Sequence, residues 1–199
     1  MNRKGSPRVP CYLALAVITL IAGLVLGATY RLTKDPIAVQ ERRKAEMARA
    51  AVMPEADAFR LLETAGDAQV DWVYEALRDG ACVGYVAQGT DRGFGGEIEV
   101  IIGLRTDGEI TGVSVGGANF SETAGLGAKA KDAAFTDGFV GKRAPLTVVK
   151  AGETKSESTV DAITSATITS KAVNDTVTRV SEAVRALVEP RENAEGDAQ

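Results

Sequence analysis

The chain has 199 residues, 45% of them hydrophobic and 25% charged, which suits one ordinary domain with an appendage. Its net charge is −4, and Arg3, Lys4 and Arg8 stand unopposed in the first ten residues, so the remainder carries −7; without a concentrated basic face no nucleic-acid partner is expected. There is no histidine, which removes the commonest general base and metal ligand, and Cys11 and Cys82 have neither metal-site spacing nor neighbourhoods suited to a disulfide, so no metal site is expected.

Tyr12 and Tyr30 bracket an almost wholly apolar run, and no charge falls between Arg8 and Arg31. That is about the 20 residues a helix needs to cross a bilayer, with a tyrosine near each end where aromatic rings favour the interface. A cleaved signal peptide is the competing reading, with Gly27-Ala-Thr as its small-residue site, but the run exceeds the roughly 7–15 residues of a signal core. The basic amino terminus is expected in the cytoplasm, although Arg31, Lys34, Arg42, Arg43 and Lys44 follow the span. A single-pass inner-membrane anchor is expected, with everything from about residue 31 on the outer side. The expected segments are a cytoplasmic terminus (1–10), the transmembrane helix (11–30), a helical linker or packing region (31–66), a folded domain (67–189) and a disordered tail (190–199).

Asp35-Pro36 predicts a helix start, and residues 37–52 read as a charged, Ala-rich helix stopped by Pro54. After Gly66 the pattern turns to short β segments at 70–76, 81–87, 97–104 and 109–115, with Asp79-Gly80 and Asp107-Gly108 as turn signals. These predict an antiparallel sheet, with 147–150 as a further strand and the Ser165 region beside it. Cys82 reads as a small buried hydrophobe. From Lys171 onward Val173, Val177, Val180, Val184 and Leu187 fall at helical spacing, predicting a helix that ends near Glu189-Pro190. The fold class is therefore α+β: antiparallel sheet packed with helices, preceded by one transmembrane helix.

Two glycine-bearing turns stand out, Gly93-Phe-Gly-Gly96 and Ser121-Glu-Thr-Ala-Gly-Leu-Gly127. Neither is a Rossmann fingerprint or a P-loop. They are either hairpin loops needing positive φ, or places where glycines let backbone amides approach a flat ring whose face Leu126 packs. A third stretch, residues 161–170, crowds small and hydroxyl residues just before the last helix. Asp161 supplies a fixed charge, Thr164, Ser165 and Thr167 supply hydroxyls, and Ala162 and Ala166 leave room beside the backbone. A helix N-terminus there suits a phosphate. The structural alternative is a β-branched strand over 163–168 feeding an N-cap at Thr169 or Ser170.

Taken in order, Gly93-Phe-Gly-Gly96, Asp107-Gly108-Glu-Ile110, Glu122-Thr-Ala-Gly-Leu-Gly127 and Asp161-Ala-Ile-Thr-Ser-Ala-Thr167 resemble the FMN-binding domain family. With the span in front, the chain most resembles the G-type subunits of the Rnf ion-translocating electron-transport complexes, and is similar also to the C-type subunits of sodium-translocating NADH:quinone reductases. The resemblance covers about residues 9 to 188. It implies FMN joined through its phosphate to the last threonine of an Asp-x-x-(Ser/Thr)-Gly-Ala-Thr pattern, which Thr167 matches, with Asp161, Thr164, Ser165 and Ala166 around it. It implies an isoalloxazine resting against Glu122, Thr123, Gly125, Leu126 and Gly127, with Gly95 and Gly96 nearby. Three positions depart from the pattern: Ser165 replaces the usual Gly, Ala124 a Pro, and Phe120 a His. The implied role is electron transfer within a ferredoxin:NAD oxidoreductase, with no catalytic residue of its own. The implied partners are the other subunits, membrane lipid, and a flavin transferase that uses FAD and a metal ion. Membership of the C-type subunits, a flavin module of a small-organic-acid reductase, and a non-redox assembly protein with unmodified Thr167 remain as alternatives.

Overall fold

The apolar run opens a 42-residue helix, α1 (Cys11–Val52). In the computed structural model, which describes residues 11–62, 70–150, 153–154 and 156–196, the chain forms one unit up to Lys44 and a second from Ala45. Helix α1 is long and apolar enough to cross a membrane, and none of its apolar window is buried. Its threonine hydroxyls find acceptors within the helix: Thr19 donates to Leu15 O at 3.0 Å and Thr29 to Val25 O at 2.8 Å. No helix starts at Asp35-Pro36 as expected, for Pro36 lies inside α1. A mid-helix proline costs about 3 kcal/mol. The Ala-, Glu-, Arg- and Lys-rich run that follows carries the helix past it.

Strand β1 (Ala58–Leu62) falls in the stretch expected to be helical. It is a five-residue edge strand paired antiparallel with β2 (Trp72–Arg78), and Arg60 ion-pairs with Glu75 across the two. Strands β3 (Ala81–Arg92), β4 (Glu97–Arg105) and β5 (Ile110–Gly116) complete an antiparallel meander in the order β1-β2-β3-β4-β5. Asp79 and Gly80, at φ 52° and 81°, form the two-residue turn between β2 and β3, the geometry that matches strand twist. Cys82 is half-buried rather than buried. Desolvation pushes its thiol pKa up, and its sulfur lies 3.6 Å from Gly84 O.

Past β5 the chain makes single helical turns at Gly127–Lys131 and Asp137–Phe139 around the four-residue α2 (Ala133–Thr136). The strand expected over 147–150 forms as β6 (Thr147–Val149), but it pairs in parallel with β7 (Thr159–Asp161) in a separate two-stranded sheet. The last helix, α3 (Thr167–Gly196), starts four residues before Lys171 and runs through Pro190, beyond its expected end and into the stretch read as a tail. Residues 1–10 and 197–199 and the stretch around Gly66 lie outside the described residues.

Helix α3 covers one face of the meander. Val173, Val177, Val180, Val184 and Val188, at helical spacing, pack with Val73, Ala87, Val100, Ile102 and Leu104. Burial of each such side chain contributes about 1.5–3 kcal/mol. On the opposite face Val52 and Met53, at the end of α1, pack with Ala76, Val86 and Ile101. Both surfaces of the central strands are thus apolar, so β4 reads as a nearly continuous apolar run.

Candidate functional site

The site is assembled around the loop from β7 to α3. Ala162 N–H donates to Val149 O at 2.8 Å, which fixes the loop's exit from the small sheet. Ala166 N–H then donates to Ile163 O at 3.0 Å, closing a turn whose third residue is Ser165 at φ 64°. Turns with positive φ at that position favour glycine. Ser170 fastens the turn to the helix, its Oγ accepting from Ile163 N–H at 2.9 Å and donating to Ala166 O at 3.0 Å.

Ser170 N–H also donates to Ala166 O at 3.0 Å, the first intrahelical bond, so Ala166 is the N-cap and Thr167 the first helical residue. Alanine offers no capping oxygen. The amides of Thr167, Ile168 and Thr169 therefore have no acceptor within the helix, at the positive end of a 30-residue dipole. Thr169 and Ser170 are not caps, because both lie inside the first turn with their hydroxyls committed elsewhere.

Thr169 Oγ1 donates to Glu122 Oε2 at 2.9 Å, while Glu122 Oε1 accepts from Gly95 N–H at 3.1 Å. One carboxylate thus ties the Gly93–Gly96 turn, the 122–127 loop and the start of α3 together. The glycines are needed for this approach. A Cβ on Gly93 or Gly127 would collide with the Glu122 carboxylate, one on Gly95 with Ser121 O, and one on Gly96 would lie 2.8 Å from Asn119 O. Close approach of protein to protein accounts for these four glycines; of the glycines in the two turns, Gly125 is the one at positive φ, 77°.

Three large apolar side chains stay exposed next to members of this cluster: Phe94 at 70%, Leu126 at 41% and Ile168 at 58%. They offer the kind of surface on which a flat ring can lie. Phe94 and Ile168 were not expected in the site; their signal is that each neighbours a cluster residue, Gly95 or Thr169. Of the expected site residues, Asp161 is the last residue of β7, Thr164 and Ser165 are on the loop that follows, Ala166 is buried, and Thr123 and Gly125 are exposed on theirs. At the third departure, Phe120 packs under Lys131, whose Nζ lies 3.7 Å from the ring centroid.

Thr167 is half-buried and lines a cleft of about 560 Å³ between β6 and the first turns of α3, together with Lys150, Lys171 and Asn174. A reachable hydroxyl beside uncapped amides, in a cleft with two cations, fits the phosphate end of FMN.

The FMN-binding domain model matches residues 93–182. The chain is 33% identical to the G subunit of the proton-translocating ferredoxin:NAD(+) oxidoreductase complex of Clostridium ljungdahlii, over 85% of this chain and 88% of that protein. It is 35% identical to the G subunit of the Na(+)-translocating ferredoxin:NAD(+) oxidoreductase complex of Acetobacterium woodii, over 83% and 86%. Among solved structures it is similar to the C subunit of the Na(+)-translocating NADH-quinone reductase of Parabacteroides distasonis, with a TM-score of 0.48 and 29% identity over 54% of this chain and 57% of that one.

Proposed function

We propose, because the chain belongs to the family of G subunits of ion-translocating ferredoxin:NAD(+) oxidoreductase complexes, the Rnf complexes, that it is the FMN-carrying electron-transfer subunit of such a complex. The observation that carries the attachment point is Thr167, the accessible first residue of a long helix capped by an alanine. FMN, when bound, supplies reversible electron storage. The chain's residues do the rest. Thr167 offers the hydroxyl, the uncapped amides and helix dipole balance phosphate charge, and Glu122 holds the neighbouring loops in one arrangement.

A threonine hydroxyl is a weak nucleophile, and attachment accordingly falls to a flavin transferase using FAD and a metal ion. In that transfer the Thr167 Oγ1–P bond forms, the pyrophosphate P–O bond of FAD breaks, AMP leaves, and the hydroxyl proton passes to a base of the transferase. Helix α1 anchors the protein in the membrane, in contact with lipid, with the flavin domain on the outer side. There a covalent link prevents loss of a cofactor that could not readily be replaced.

The test is intact-mass measurement of the full chain after coexpression with a flavin transferase. The wild type is expected to gain the mass of one FMN less water, and Thr167→Ala none. An unmodified wild type would instead support a non-redox assembly role. A reporter fused after the last residue reads the orientation, and activity only in the cytoplasm contradicts the outer placement.

A further inference from the structure

The apolar run of α1 ends in bases that find no counter-charge. From Arg31 to Lys44 the chain carries a net charge of +3, whereas residues 45–199 carry −10. Beyond the first ten residues, attraction for an anionic surface therefore belongs to the stretch that leaves the span. Tyr30, Arg31 and Lys34 fall at i, i+1 and i+4 of the helix, within about 100° of one another around its axis, so one face presents a phenol and two cations. Tyr30 is 63% exposed, and Arg31 and Lys34 are exposed beside it. Among the described residues neither base has an ion-pair or hydrogen-bond partner, and Asp35, four residues after Arg31, pairs with neither. The Thr33 hydroxyl between them is committed to the helix backbone, donating to Thr29 O at 2.7 Å.

Depth separates these bases from those that follow. Along the helix Lys34 lies about 4–5 Å beyond Arg31, and Arg42, Arg43 and Lys44 lie about 16–20 Å beyond it. The headgroup layer adds about 5–8 Å to each side of the hydrocarbon. With the hydrocarbon ending near Tyr30, Arg31 and Lys34 stand at headgroup depth, while the later bases act on it only through a field that fades over about 8–10 Å. We propose that Tyr30, Arg31 and Lys34 form a contact site for anionic phospholipid in the leaflet where α1 leaves the bilayer, the two cations pairing with the headgroup phosphate and the phenol lying at the interface. A lipid of net negative charge is favoured over a zwitterionic one, whose own ammonium competes for the same phosphate. The inference rests on the reading of α1 as a membrane span, and adds a lipid class and the residues that select it.

The experiment uses the full chain carrying Arg3→Gln, Lys4→Gln and Arg8→Gln, which removes the bases at the other end of the span. It is reconstituted into phosphatidylcholine vesicles with trace spin-labelled phosphatidylglycerol or spin-labelled phosphatidylcholine, and the motionally restricted fraction gives the relative association of each lipid. Phosphatidylglycerol is expected to associate about fivefold more strongly, the effect of one well-placed base. Adding Arg31→Gln with Lys34→Gln is expected to remove most of that preference, whereas Arg31→Lys with Lys34→Arg keeps it. Inorganic phosphate at constant ionic strength is expected to leave the ratio unchanged, because a headgroup is held in place by its acyl chains. A ratio that collapses on adding phosphate points to a free-anion site and overturns the proposal. Equal association of the two lipids, the result if these bases face an acidic protein instead, also overturns it, as does a preference untouched by the glutamine pair. A chain released from the vesicles by alkaline washing removes the span and the proposal together, while one retained with no lipid preference removes the proposal alone.

Discussion

Ser165 holds φ 64° in the turn that delivers Thr167 to the start of α3. An L side chain in that region costs about 1–2 kcal/mol, and glycine's extra unfolded-state entropy returns part of it. Ser165→Gly is therefore expected to raise the unfolding free energy by about 0.5–1 kcal/mol, while Ser165→Ala gives no such gain, measured from denaturant midpoints. The departure from the family pattern thus acts on the backbone. Glu122 is the other residue on which the site turns. Glu122→Ala leaves Gly95 N–H and Thr169 Oγ1 without their shared acceptor, and is expected to cost about 1–3 kcal/mol and to lower flavin content, read by visible absorbance after coexpression with a transferase. Sequence pattern pointed to Glu122 and Thr169 separately. Their hydrogen bond spans 47 residues, and no local signal encodes it.

At the scale of elements, three glycines on adjacent strands make the seat for the end of α1. A Cβ on Gly103 would collide with Val52 O, one on Gly112 would lie 2.8 Å from Val52 Cα, and one on Gly84 would lie 2.8 Å from Met53 Cε. Thr111, at the register shift between β4 and β5, donates its hydroxyl to Val52 O. Gly112→Val is expected to destabilise the sheet unit by about 1–3 kcal/mol, seen as a lower thermal midpoint, because residues 52–53 must move off the strand. The β4–β5 hairpin carries a pH dependence. The Asp107 carboxylate accepts from Glu109 N–H at 3.0 Å and pairs with Arg143, which together hold its pKa below the ordinary carboxylate value. The folded value is depressed, so this contribution is complete above the unfolded pKa and is lost as pH falls through the lower folded one. Asp107→Asn is expected to flatten the acid limb of the stability-versus-pH curve while leaving its neutral region nearly unchanged. The turn itself was legible from Asp107-Gly108. The Arg143 partner, 36 residues away, was not.

For the whole molecule, the span and the sheet domain come from one continuous chain: α1 is exposed and apolar as far as Tyr30, while Val52 at its end and Met53 just after it pack against the sheet. A hydrophobic helix of this kind is expected to resist high-salt and alkaline washing of membranes, with the chain staying in the pellet, whereas a surface-adsorbed protein would be released. Alternating apolar residues, Asp-Gly turns and the valine ladder of α3 were enough for the antiparallel sheet, the helix on its face and the anchor, because periodicity and chain punctuation are local properties. Strand β1 was missed because five residues beside an Ala-rich helix carry too little pattern. The start of α3 was misplaced because hydroxyl residues at 169 and 170 imitate a cap. By itself the sequence determined the fold class and the candidate span, and its resemblance to the FMN-binding family singled out Thr167 as the threonine to test. Only the tertiary structure decided that Glu122 joins the three motifs, that Ala166 leaves the helix end open, and that Lys150 meets Lys171 and Asn174 in one cleft, since each of these depends on how separate stretches of the chain come together in space.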